Sequence, residues 1–180
     1  MSHKKVTRRD FAKVGAASTF AILASDQRAK AATNSGTLKV GLLGCGGRGS
    51  GAAQQMLQGN SNVKLTAMAD IFDDRVKGKL ERFKKNRGIN NQVAVDEDHM
   101  FVGIDSYKEI LKTDIDILIH GTTPYARPYH VLAAVKAGKH IFTEKPAAVD
   151  PAGIRTFIEA ANLADEKGLS FVTGLQRRHQ

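Results

Sequence analysis

Between Leu38 and Gly51 the chain reads LKVGLLGCGGRGSG, a short apolar run followed by Gly44, Gly46 and Gly49 at the spacing G-x-G-x-x-G. Each glycine meets a separate steric demand. Gly44 permits a tight turn, Gly46 lets backbone approach a pyrophosphate, and Gly49 lets a helix pack closely on the preceding strand. A phosphate would rest on the unpaired N–H groups at the helix start, with Gly47 and Arg48 completing the turn around it. An acid stands where this fingerprint requires one: the apolar run Val63–Ala69 ends in Asp70, about 20 residues beyond the last glycine. Its carboxylate can accept hydrogen bonds from both hydroxyls of an adenosine ribose and would repel a 2′-phosphate, which favours NAD over NADP. A glycine-rich surface turn and an ordinary strand-end Asp account for either half alone; strand, turn, helix and acid together point to dinucleotide binding.

These residues need a scaffold that ends strands at one edge. From Leu38 onward short β-rich runs alternate with helical segments, the pattern of an α/β fold with a doubly wound parallel sheet. The expected strands are 38–43, 63–69, 99–102, 115–119, 139–143 and 169–173, and the expected helices are 48–58, 73–87, 106–112, 129–137 and 151–167. A polar loop spans 88–98. Asp150 and Pro151 read as N-cap and first position of the last helix, and Gly138 and Gly168 as C-terminal stops. Two loops then fall at the carboxyl edge, where ligands of such sheets bind. One is His120-Gly121-Thr122-Thr123-Pro124; the other is Glu144-Lys145-Pro146. Tyr125 and Arg127 border the first and either meet a substrate or lie on the surface. His130, near a helix start, either contacts the nicotinamide region or is a satisfied, partly buried histidine.

At 180 residues the chain can bury one good core. Its formal charge of +9 is concentrated at one end: residues 1–31 carry seven Lys/Arg and two Asp, and the remainder has a net charge of +4. The cluster Lys77, Lys79, Arg82, Lys84, Lys85 and Arg87 lies on one expected helix with few aromatics nearby, which reads as a solvated face and not a nucleic-acid surface. Cys45 is the sole cysteine, so no intramolecular disulfide forms, and its place in the glycine turn calls for a small side chain rather than a catalytic thiol. No metal-ligating set is expected.

The N-terminal charge belongs to an address. Thr7-Arg8-Arg9-Asp10-Phe11-Ala12-Lys13 precedes the apolar run Val14–Ala24 and then Ala29-Lys30-Ala31, the three parts of an export signal. The paired arginines resemble a twin-arginine signal. The run is too short for a permanent membrane span, which needs about 20 apolar residues. The expected organisation is signal 1–31, linker 32–37, nucleotide-binding domain 38–176, and 177–180 as the start of a crossover to a further domain. Cleavage after Ala31 would leave a periplasmic or secreted protein beginning at Ala32.

The glycine turn, Asp70, Thr123-Pro124 with His130, and Ala137-Gly138-Lys139-His140 leading into Glu144-Lys145-Pro146 resemble the Gfo/Idh/MocA oxidoreductases. The resemblance spans roughly residues 37–180, and its A-G-K-H…E-K-P combination is far more specific than the glycine turn alone. It implies an NAD(P)-dependent enzyme that acts on a sugar or cyclitol hydroxyl by hydride transfer. Thr122, Thr123, Pro124, Glu144 and Lys145 would then border the cofactor with the glycine turn. Lys145 and His130 are the implied catalytic candidates. An ammonium at Lys145 would orient the reacting hydroxyl and stabilise developing oxyanion character; Glu144 would bond the lysine or a cofactor ribose. Family enzymes carry a second α+β domain after the sixth strand, which supplies most of the substrate pocket. It is absent from these 180 residues, so the isolated chain is expected to bind NAD weakly and to turn over sugars barely. The alternatives are an NAD-dependent glycosidase of the same family and a non-catalytic nucleotide-binding module. The expected partners are a small sugar or cyclitol and, through the signal, the export machinery, with self-association in a full-length form; neither nucleic acid nor a stable membrane span is expected.

Overall fold

The computed structural model describes residues 36–175. The expected export signal, and residues 177–180 of the expected crossover, lie outside the described residues. Six strands form one parallel sheet: β1 (Leu38–Leu43), β2 (Val63–Asp70), β3 (Met100–Val102), β4 (Ile117–His120), β5 (His140–Glu144) and β6 (Phe171–Gly174). Their order is β3-β2-β1-β4-β5-β6. Five helices connect them: α1 (Gly47–Gly59), α2 (Asp73–Lys85), α3 (Ser106–Lys112), α4 (Arg127–Lys136) and α5 (Pro151–Glu166).

Residues alternate across the strands, so the sheet feeds two cores. On one side Val40, Leu42, Leu65 and Met68 pack with Leu57 of α1 and with Val76, Leu80 and Phe83 of α2. On the other, Leu43, Ala67 and Leu118 pack with Ile110 of α3, Val131 and Val135 of α4, and Ala160 of α5. Because helices cover both faces, the strands read as nearly unbroken apolar runs. The strand order reverses between β1 and β4, and the crevice of a doubly wound sheet opens at such a point. Here the chain leaves β1 at Gly44 and β4 at Gly121.

The helix stops fall where glycine can adopt positive φ, with Gly138 at +74° and Gly168 at +65°. Asp150 caps α5 by accepting from the Gly153 N–H at 2.6 Å, ahead of Pro151. The fourth strand is shifted from its expected span. Asp116 takes the Lys39 N–H on its carboxylate at 2.7 Å, and the strand starts at Ile117 and runs through His120, which pairs in register with Leu43 and Thr143. The loop expected at 88–98 extends to His99 and contains two short 3-10 turns, Asn90–Gln92 and Glu97–His99; it is tied to the sheet by Gln92, whose amide donates to the Val63 carbonyl at 3.0 Å. Among the described residues no helix is long and apolar enough to cross a membrane.

Candidate functional site

The glycines of the turn divide into two kinds. A Cβ on Gly44, whose φ is +93°, would lie 2.7 Å from the backbone of Gly121 and Thr122, and a Cβ on Gly49 would lie 2.2 Å from the Gly44 carbonyl oxygen. These two are demanded by the protein's packing against itself. A Cβ on Gly46 would meet only Arg75 Nη1, at 4.0 Å, and one on Gly47 would meet nothing within 4 Å. The middle of the turn is therefore a bare floor, and α1 rises from it at Gly47 with no side-chain cap and no acid in its first turn. Its first N–H groups remain open to an anion.

Asp70 ends β2 beside that floor and is 6% exposed. One carboxylate oxygen accepts from the Cys45 N–H at 2.7 Å and the other from the Phe72 N–H at 3.1 Å. Each oxygen keeps a further lone pair, so the carboxylate is aimed while retaining capacity for donors from a ligand. Burial pushes the Cys45 thiol up to about 12; Asp70 adds to the rise, and Lys79 and Arg75 oppose it. The thiol is inert, as its position in the turn implies. The cleft above has a volume of about 180 Å³, with Ile71, Phe72 and Ile104 forming an apolar end and Thr122, Thr123 and His130 a polar end.

A buried polar cluster lies under the first edge loop. Thr122 Oγ1 is 2.8 Å from His120 Nε2 and 3.2 Å from His130 Nδ1, and His120 Nδ1 is 3.1 Å from Thr143 Oγ1. Tyr107 stacks on the His130 ring at 4.4 Å. Burial holds His130 down at about 4, and drives His120 well below the usual range, with His130 and Arg127 adding to the drop. Both rings are neutral at physiological pH. His130 lines the cleft and is a half-buried histidine with hydrogen-bonding partners.

Arg127 does not lie on the surface. It is 2% exposed, and its guanidinium donates to the Thr122 carbonyl at 2.6 Å and to the Pro146 carbonyl, joining both edge loops to the start of α4. Burial lowers its pKa from the ordinary value, and Glu144 opposes that shift. Glu144 pairs with Arg48 at 2.8 Å rather than with Lys145, and its second oxygen is buried without a partner. This ion pair joins the glycine turn to the end of β5. Lys145 is exposed just beyond that end and Thr123 is exposed on its loop, while Tyr125 is 71% exposed. Lys145 is not in the wall of the cleft. Sequence reasoning placed His120 in the edge loop and Arg127 at its border, but not the buried hydrogen bonds by which each holds that loop.

The donor set fits a dinucleotide: open N–H groups and a side-chain-free floor for a pyrophosphate, an aimed carboxylate for ribose hydroxyls, and an apolar slot for a base. The Gfo/Idh/MocA model, an oxidoreductase family with an NAD-binding Rossmann fold, matches residues 38–173. A glycosyl hydrolase family 109 protein of Solibacter usitatus is 28% identical over 155 residues, covering 80% of this chain and 34% of that protein. An inositol 2-dehydrogenase of Paracoccus denitrificans is 27% identical over 146 residues, covering 79% and 38%. The chain thus spans little more than a third of the length of these curated relatives. Among solved structures, scyllo-inositol dehydrogenase from Lactobacillus casei with bound NAD(H) and scyllo-inositol superposes with a TM-score of 0.62 at 23% identity, covering 80% of this chain and 38% of that one. At that identity the likeness speaks to the fold.

Proposed function

The chain belongs to the Gfo/Idh/MocA oxidoreductase family, and from that premise we propose that it supplies the NAD-binding half of a dehydrogenase acting on a cyclitol or sugar hydroxyl. The observation that carries this reading is the bare Gly46–Gly47 floor fixed beside Asp70 by the Cys45 N–H at 2.7 Å. When bound, NAD supplies the hydride acceptor. The chain's own residues bind and orient. Asp70 receives the adenosine ribose hydroxyls, and the start of α1 offsets the pyrophosphate charge. Arg127 and the neutral His120–Thr122–His130 cluster hold the edge loop in one position, which makes His130 a positioning residue. The exposed Lys145 ammonium orients the substrate hydroxyl and stabilises charge developing on its oxygen.

Calorimetric titration with NAD tests the reading directly, and absence of binding would sink it. In the full-length protein, Lys145→Met is expected to leave NAD affinity within about twofold while lowering turnover of inositols by at least about a hundredfold. Equal turnover in the variant removes Lys145 from the chemistry. The relative in glycosyl hydrolase family 109 supports a second reading, an NAD-dependent glycosidase. Cleavage of an aryl glycoside with no net NADH would favour it, whereas NADH accumulating with free cyclitol favours the first.

We also infer export by the twin-arginine route, supported by Arg8-Arg9 and the apolar run Val14–Ala24. Periplasmic protein beginning at Ala32 is expected; a retained Met1 counts against it.

A further inference from the structure

Helix α5 turns its small residues inward: Gly153, Ala160 and Ala164 are buried, and the two alanines pack with Val131 and Val135 of α4 and Ile141 of β5. Its opposite face carries a shallow groove of about 450 Å³ lined by Arg155, Ile158, Glu159, Asn162, Leu163 and Glu166. These positions recur at i, i+3, i+4, i+7, i+8 and i+11, a continuous stripe about three turns long. Ile158 near its centre is 53% exposed, and Ile154, one turn earlier, is 40% exposed. Two exposed isoleucines are by themselves ordinary on a protein surface. The polar residues around them carry more information.

On α2, Lys77 pairs with Asp73 and Lys85 with Glu81, each with the acid four residues N-terminal to the base, the favoured order. On α5 the order is reversed, with Arg155 ahead of Glu159, and among the described residues neither of these nor Glu166 closes an ion pair. The charges of the stripe are therefore open to a partner, and the stripe is its own complement. Turned antiparallel about the point midway between Ala160 and Ala161, it sets Arg155 against Glu166, Ile158 against Leu163 and Glu159 against Asn162, and a two-fold axis makes each pairing occur twice. A parallel pairing in register would set Arg155 on Arg155 and Glu159 on Glu159, so charge selects the antiparallel arrangement.

We infer that a second copy of this chain docks on this face, giving a two-fold dimer through antiparallel α5 helices. Ile158 and Leu163 of the two copies form its apolar centre, and the Arg155–Glu166 pairs close its two ends. The inference is independent of the nucleotide reading, since none of the six stripe residues lines the cofactor cleft. A single helix pair is smaller than the roughly 1,600 Å² of a standard interface, so the dimer forms reversibly at micromolar concentrations.

Sedimentation velocity of the full chain tests it, with a monomer–dimer equilibrium expected below about 100 μM. Arg155→Glu and Glu166→Arg each bring like charges together twice, and each is expected to weaken the dimer at least about tenfold. An equimolar mixture of the two variants restores opposite charges at both ends of a mixed dimer, and the double variant restores them in its own dimer. Both are expected to recover to within about threefold of the original constant. A chain that stays monomeric at about 300 μM overturns the inference. So does a dimer that neither single variant weakens, or one that the mixture fails to recover, because the contact then lies on another face. Both positions are exposed, and Glu166→Arg places a cation in the last turn of α5, which favours the helix. Unchanged helical circular dichroism and melting temperature of the dilute variants separate loss of the dimer from loss of the fold.

Discussion

At the scale of single residues, the four glycines of the turn are not equivalent. Gly49→Ala forces a methyl group to 2.2 Å from the Gly44 carbonyl oxygen, so α1 must move off β1. The expected cost is roughly 3 kcal/mol or more in denaturant unfolding, the range for overpacking a rigid backbone contact. Gly46→Ala has an ordinary φ of −67° and open space, so stability should change by less than about 1 kcal/mol. NAD affinity should still drop at least about tenfold, because the added methyl stands on the nucleotide floor. A Gly46→Ala variant that binds NAD normally would show that the pyrophosphate does not approach there. The histidines make a prediction about acid. Unfolded histidine protonates near pH 6.5, whereas burial holds His130 in the fold down at about 4 and drives His120 well below the usual range. Between 6.5 and about 4 the unfolded chain binds more protons, so stability is full above about pH 6.5 and falls on acidification, by about 1.4 kcal/mol per pH unit for His130, with His120 acting in the same direction. His130→Gln should flatten that slope by one proton; an unchanged slope would mean that the ring titrates normally in the fold.

At the scale of elements, α4 does more than cover the sheet. Its first residue, Arg127, donates to Thr122 and Pro146 and so connects the loops that follow β4 and β5. Arg127→Met leaves both carbonyls without that donor, and we expect a loss of about 2 kcal/mol or more with faster amide exchange in the two loops. Exchange that is unchanged there would assign the arginine to packing alone. The elements themselves were legible in the sequence because their signals are local. Asp150-Pro151 opens α5 and Gly138 closes α4 through backbone chemistry that neighbouring residues complete. The fourth strand was misplaced at both ends because its limits depend on partners far along the chain, Lys39 for Asp116 and Leu43 for His120.

At the scale of the whole molecule, nucleotide binding should stabilise the fold. With NAD at about a hundred times its dissociation constant the gain is about 2.7 kcal/mol, which for a domain of this size raises the melting temperature by about 5–10 °C. No shift at saturating NAD would argue against a site in the described residues. By itself the sequence determined the order of strands and helices, the G-x-G-x-x-G turn, the acid at Asp70 and the Glu144-Lys145-Pro146 edge, because each is a matter of residue type at short spacing. Only the tertiary structure decided the pairings. Arg48 meets Glu144, Arg127 spans two loops, His120 is buried under Thr122, and the basic stripe of α2 turns partly toward the glycine floor. The physical reason is distance along the chain: Arg48 and Glu144 are 96 residues apart and Cys45 and Asp70 are 25 apart, and no local propensity specifies which buried donor finds which acceptor once the sheet has brought them together.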